Sequence, residues 1–381
     1  MFPEGGTHSL KNKKIVSISL MLAILLLAAG CSQQGTDPEE PEQEEVVVEE
    51  QIIEEEEVDP VPEGMAASPL TGLWIPEEMA DIRPVAMQIN NIRVAYPQSG
   101  IGQADIIYET LAEGNITRLL AVFHHYDAEK IGPIRSARHY YLDMAANHDA
   151  LYMHYGGSPQ AYSYISQMKA PNLDGLPKPD GVLSWRDPER KAIPRMFEHS
   201  VFTSKELIEE AWDVSGYRRE TREGFHTGLV FKKEPSPPYG QRADAVAIPF
   251  TSNYISSFDY DAQTWEYTKY AGDELHMDAL TDEPLRFTNI IVQRTEIYLI
   301  PGDDAGRREV KIIGSGTGYY ISQGRAVSIE WKKPAYGEPT LYIETKTGKP
   351  VMMNPGKTYI AIVPERQTVT LAAPRVETPQ E

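Results

Sequence analysis

The sequence predicts two folded domains of different class: an α+β or α/β domain with a mixed sheet and flanking helices over residues 68–233, then an all-β domain over residues 240–373. Three observations carry this. Strand-like apolar runs alternate with capped helical stretches as far as residue 233, the pattern of a layered α/β sandwich. Pro235-Ser236-Pro237-Pro238 then breaks the chain. Beyond that break, short strands recur between turn signals with no long helical period. A chain of 381 residues has room for about two such domains.

Before the first domain, Lys11, Lys13 and Lys14 precede an apolar run over residues 15–29, and Gly30-Cys31 follow. A charged start and a short apolar stretch make a secretory signal peptide over residues 1–30, and the stretch is short for a bilayer span. Leu27-Ala28-Ala29-Gly30-Cys31 resembles the bacterial lipobox, with Ala28 where that motif prefers Leu. The resemblance implies cleavage before Cys31 and its lipidation, palmitate included. Cys31 is the only cysteine, so it forms no internal disulfide. The expected address is the extracytoplasmic face of the cell membrane, held by a lipid anchor.

Residues 31–67 read as an acidic, disordered tether. The stretch 32–64 is crowded with carboxylates and has no Lys or Arg, which concentrates the net charge of −20 there. Its few apolar groups cannot offset ordering entropy, and like charges extend it. A nucleic-acid partner is excluded by the same charge balance.

Within the first domain, residues 84–91 read as a buried strand ending in the amides Asn90 and Asn91. Arg93, Gln98 and Ser99 follow in a Pro- and Gly-broken loop, where α/β sheets place ligands. Residues 105–113 and 116–126 form a hairpin around Gly114-Asn115. In that register Arg118 stands opposite Leu111, and Glu109 and Glu113 are its diagonal neighbours on one face. The carboxylates read first as a structural ion pair steadying the hairpin and second as a functional pair. Ser136 is placed to cap a helix over 137–147, with Arg135 just outside it and Arg138 in its first turn. Cations oppose the helix dipole there unless an anion sits between them. Arg118, Arg135 and Arg138 are therefore the expected anion-binding set.

Residues 149–155 read as another strand. Gly156 and Gly157 permit a tight turn into a helix started by Ser158 and Pro159, with Tyr162, Ile165 and Met168 as its buried stripe. Its free amides would make a second anion site, and His154 beside them is the candidate acid, base or donor. His124 and His125 point to opposite strand faces and no Cys is available, so no metal site is expected. Thr203-Ser204-Lys205-Glu206 has capping-box spacing and opens a helix ending near Gly216.

In the second domain, strands are expected over 246–250, 264–270, 287–293, 296–300, 310–313, 326–331, 341–344 and 359–363, closing a sandwich or barrel with Trp265 and Trp331 in its core. The run 314–318, Gly-Ser-Gly-Thr-Gly, reads as hairpin flexibility, since no Lys and no helix follow it as in a phosphate loop.

Residues 84–91, 97–100, 103–105, 114–123, 132–138 and 154–158 resemble the signature of the YerB-like lipoproteins of Gram-positive bacteria. Residues 289–292 and 314–332 resemble that family's second domain. The resemblance spans nearly all of the chain after the tether. It implies a two-domain, lipid-anchored surface protein and carries no established activity or catalytic residue. The leading expectation is a non-catalytic lipoprotein that binds an anionic cell-wall component or a membrane-associated protein without a cofactor. A narrower resemblance joins Arg118, Arg135, Arg138 and Tyr155-Gly156-Gly157 to the LytR-CpsA-Psr phosphotransferases. It implies the alternative, transfer of lipid-linked cell-wall glycopolymer with Glu109 or Glu113 holding Mg²⁺.

Overall fold

The computed structural model describes residues 61–373, so the signal peptide, Cys31 and nearly all of the expected tether lie outside the described residues. Within the bounds of the expected tether, Met65–Ala67 pairs with Trp74–Pro76.

The fully buried run Val85–Asn90 forms β1, and the hairpin is Ile106–Glu113 (β2) with Ile116–Phe123 (β3). Then come His139–Ala146 (α1), Leu151–His154 (β4), Pro159–Met168 (α2), Asn172–Asp174 (β5) and Lys205–Ser215 (α3). Strand β1 pairs antiparallel with β3 and parallel with β4, so the sheet is mixed as expected. Two helices start as their residues dictate. The Ser158 hydroxyl accepts from the Ala161 amide at 3.1 Å, and that of Ser204 from the Leu207 amide at 3.2 Å, one residue past the Thr203 that the capping-box spacing put in the cap position; the Thr203 hydroxyl instead donates to the Leu183 carbonyl at 2.7 Å. Gly216 ends α3 in the left-handed conformation, which costs glycine no steric penalty.

The later half is mainly strands: Ala245–Thr251 (β6), Tyr254–Asp261 (β7), Glu266–Ala271 (β8), Asn289–Thr295 (β9), Gly314–Ser322 (β10), Arg325–Lys333 (β11) and Thr358–Pro364 (β12). They do not close a sandwich of their own. Strand β12 lies between β9 and β2, parallel to both, so strands from both halves share one eleven-stranded sheet. Strands β6, β7 and β8 belong to a six-stranded sheet packed on it. Phe258 of β7 and Phe287 meet the ring of Tyr359 on β12, at 4.9 and 5.2 Å between centroids. Edge-to-face pairs of this kind add about 0.5–1.5 kcal/mol each beyond the area they bury.

Four local expectations are corrected. The helix after Arg138 starts at His139, with Arg138 and not Ser136 in the cap position and no side-chain cap bond. Tyr162 faces outward on α2, where its hydroxyl donates to Asp174 at 2.8 Å. Trp265 is half exposed at a positive-φ turn, whereas Trp331 is core. The glycine run 314–318 opens the nine-residue strand β10. A Cβ at Gly318 would lie 1.8 Å from the Val292 carbonyl oxygen, so the glycine serves close strand approach instead of flexibility.

Candidate functional site

The β2–β3 hairpin carries a register shift between Leu111 and Glu113. Arg118 consequently stands opposite Thr110, one residue from the expected partner. A bulge inserts one unpaired residue and reverses the facing of the residues after it. Glu113 therefore joins the Arg118 face while Glu109 points to the other, so the two carboxylates share no face and no common ion. Arg118 Nη2 lies 2.5 Å from Glu113 Oε1, and Arg138 Nη2 bonds the same oxygen. Arg118 also donates to the Ser136 carbonyl, and Arg138 to that of Ala137 at 2.6 Å. Burial pulls both guanidiniums below their ordinary pKa. The anion that the sequence requires between these arginines is thus the chain's own Glu113.

The other expected site residues take partners of their own, although Arg135 stays near enough to Arg118 for that charge, after burial, to lower its pKa. Arg135 donates to the Glu198 carbonyl at 3.0 Å, and its guanidinium lies 3.6 Å from that residue's carboxylate. Asn90 meets His199 at 2.6 Å. Arg93 is exposed and pairs with Glu274. His154 is fully enclosed, with Nδ1 at 2.8 Å from the Gly156 carbonyl and Nε2 at 3.1 Å from Asn172 Oδ1, so it is no open acid or base. At the Gly156-Gly157 turn, the Gly156 amide donates to Asp174 Oδ1 at 2.8 Å. The turn amide is thus taken by the chain's own carboxylate, and of the α2 start amides the Ser158 hydroxyl takes that of Ala161.

Glu109 is wholly buried. Its Oε1 accepts from Asn91 and Thr117, each at 2.7 Å, and its Oε2 accepts from Ser256 at 2.7 Å and from Tyr359. Lys269, equally buried, donates to Ser256 at 3.2 Å. Burial lowers the Lys269 pKa to about 8, and Glu109 pulls against that.

A cluster of arginines in excess of its carboxylates surrounds Asp149, which follows α1 in the left-handed conformation at φ 52°. Arg218 Nη2 donates to both carboxylate oxygens, at 2.5 and 2.6 Å. Arg222 Nε lies 3.3 Å from Oδ1, and its amide donates to Oδ2 at 3.0 Å. Arg83, almost fully buried, donates to the Asp149 carbonyl and lies 3.7 Å from the carboxylate. Its pKa falls to about 10, chiefly through burial, with Asp149 opposing and Arg218 and Arg222 adding to the fall. Three guanidiniums thus share one carboxylate in a cavity of about 470 Å³ whose walls include Leu142, Tyr152, Met168, Tyr336 and the cation Lys169. Sequence reasoning passed over this site because it weighed arginines by nearness to helix starts. The available signal was Arg218, Arg219 and Arg222 within five residues just after a helix-ending glycine.

No helix among the described residues is long and apolar enough to cross a membrane. Residues 70–218 match the family described as Protein of unknown function (DUF3048) N-terminal domain, and residues 246–360 match its C-terminal domain. Over 310 residues the chain is 32% identical to a Bacillus subtilis protein named as the lipoprotein YerB, covering 80% of this chain and 88% of that one. The crystal structure of the Bacillus subtilis YerB protein superposes with a TM-score of 0.70 at 31% identity, covering 81% of this chain and all of that one.

Proposed function

Because this chain belongs to the two-domain DUF3048 family of YerB-like lipoproteins, we propose that it is anchored through Cys31 to the outer face of the cell membrane and binds an anionic envelope ligand there. The observation that carries the reading is the set of three guanidiniums, Arg83, Arg218 and Arg222, round the single carboxylate of Asp149. Guanidinium forks match phosphate and carboxylate oxygens two at a time. Arg83 is buried beneath while Arg218 and Arg222 are each more than a third exposed, so two of the three can turn from Asp149 to an incoming anion. The apolar wall beside them suits a ligand with a hydrocarbon portion next to its charge.

The test is calorimetric titration of the full-length chain, held in zwitterionic nanodiscs, with inorganic pyrophosphate and with geranyl pyrophosphate. The prenylated anion should bind more tightly than the bare one. The Arg218→Gln/Arg222→Gln variant should weaken both by tenfold or more. Equal affinities for variant and parent would rule the pocket out.

A further inference from the structure

A second cleft lies at the tip of the β2–β3 hairpin, and its two halves differ in chemistry. One half, of about 270 Å³, is lined by Tyr96, Tyr254, Asn91, Thr117 and Asn253. The other, of about 290 Å³, is lined by Arg308, Arg366, Gln367 and Ser252 with no carboxylate among its walls. Asn115 lines both, so the halves adjoin.

The floor of the first half is fixed before any ligand arrives. Asn91 Nδ2 donates to Glu109, to Thr117 at 2.8 Å and to the Tyr254 hydroxyl at 2.8 Å, while Asn91 Oδ1 accepts from the Tyr96 hydroxyl at 2.8 Å. Buried Glu109 therefore orients a set of amide and hydroxyl groups around two tyrosines. Each hydroxyl keeps lone-pair capacity beyond these bonds. Tyrosine couples an apolar ring to a polar tip, so the lining offers flat apolar contact beside hydrogen-bonding edges. A pyranose has both surfaces, C–H faces and hydroxyl edges. Groups held in place in advance lower the ordering cost of binding it.

In the second half, Arg308 donates to the Gly114 carbonyl with Nε, at 3.0 Å, and with Nη2. Burial first, and then the charge of nearby Arg366, push the Arg308 pKa down. Among the described residues neither arginine makes an ion pair with a carboxylate. Two like charges set side by side without a counter-ion leave room for an acidic group. We infer that the hairpin-tip cleft binds an acidic saccharide, the sugar ring in the Tyr96–Tyr254 half and its carboxylate or phosphate on Arg308 and Arg366. This site is separate from the Asp149 pocket and does not depend on it.

The experiment is an NMR titration of the full-length chain in nanodiscs with four probes: a hyaluronan tetrasaccharide, glucose 6-phosphate, maltotetraose and inorganic phosphate. The two acidic sugars should bind at least tenfold more tightly than maltotetraose and than phosphate alone, with the largest shifts at Asn115, Asn253 and Tyr254. Which acidic sugar binds more tightly tells carboxylate from phosphate recognition. The surface variant Arg308→Gln/Arg366→Gln should reduce acidic-sugar affinity to the maltotetraose level. Arg218→Gln/Arg222→Gln should leave it unchanged, which separates failure here from failure of the Asp149 pocket. Equal binding of acidic and neutral sugars, no effect of Arg308→Gln/Arg366→Gln, or shifts confined to other regions would each overturn the assignment.

Discussion

Lys269 reaches Glu109 through a single hydroxyl: its ammonium donates to Ser256 Oγ at 3.2 Å, and that oxygen donates to Glu109 Oε2 at 2.7 Å. The carboxylate comes from β2 in the first half and the lysine from β8 in the second, so a buried charge pair spans the junction of the two sheets. Removing one partner of such a pair leaves an uncompensated charge, which costs about 3–5 kcal/mol. Glu109→Gln should lower stability to urea by that order, and Glu109→Gln/Lys269→Met should recover most of it. A double variant no more stable than the single would show that the charges are not coupled.

The same lysine sets a pH dependence. With its pKa near 8 when folded, against an ordinary 10.5, the folded chain binds fewer protons than the unfolded chain between those values. Stability from this group therefore rises with pH across that window and is lost as pH falls through about 8. Replacing Lys269 by Met, in the Glu109→Gln background, should remove this slope from a series of urea titrations at pH 7.5 to 10.

Asp143 predicts the opposite sign. Burial, only partly offset by the Tyr164 hydroxyl and by Lys333, raises its carboxyl from 3.8 to about 6. The folded chain holds that proton more tightly, so its stabilising share is full below the ordinary value and lost as pH rises through about 6. Asp143→Asn keeps an oxygen to accept from Tyr164 and carries no charge. It should be more stable than the parent at pH 7, by about 2–3 kcal/mol at most on the usual conversion, with the difference vanishing near pH 4.

Glu113 offers a chemical-rescue test. Glu113→Ala leaves Arg118 and Arg138, both buried, without their shared oxygen, and the loss should be about 3–5 kcal/mol by the cost of stranding buried charge. Sulfate should then restore the variant's melting temperature more than chloride does at equal ionic strength, and should do so far less for the parent. Identical salt responses would mean that no anion can take the place of the carboxylate.

At Asp149 the internal carboxylate competes with any ligand. Asn also tolerates the left-handed backbone there, so Asp149→Asn keeps the loop while removing the competitor. Pyrophosphate affinity should rise about tenfold, the effect of ~1.4 kcal/mol, even as the melting temperature falls. Unchanged or weaker binding would speak against an anion pocket.

Much of the local structure was legible in the chain. Ser158 and Ser204 announce helix starts, Gly216 a helix end, and the apolar run 85–90 a buried strand, because each signal acts within a few residues of itself. The candidate site was legible only as an inventory of arginines. Arg118 and Arg138 do converge, but on Glu113, and a one-residue bulge that no turn signal marks decided which glutamate they found. Glycines 314–318 misled because their purpose is a neighbouring strand's carbonyl, met only once β9 and β10 are paired.

The sequence by itself determined the expected lipid-anchored address, the two-part composition and the Ser158 cap of α2, since those follow from covalent order and short-range preference. The tertiary structure alone decided which charges are spent on each other and which remain available. Arg218 finds Asp149 from 69 residues away, and β12 crosses from the far end of the chain to lie beside β2. Such partnerships depend on sheet order and register, and no local preference encodes a contact whose two members meet only after the rest of the chain has packed.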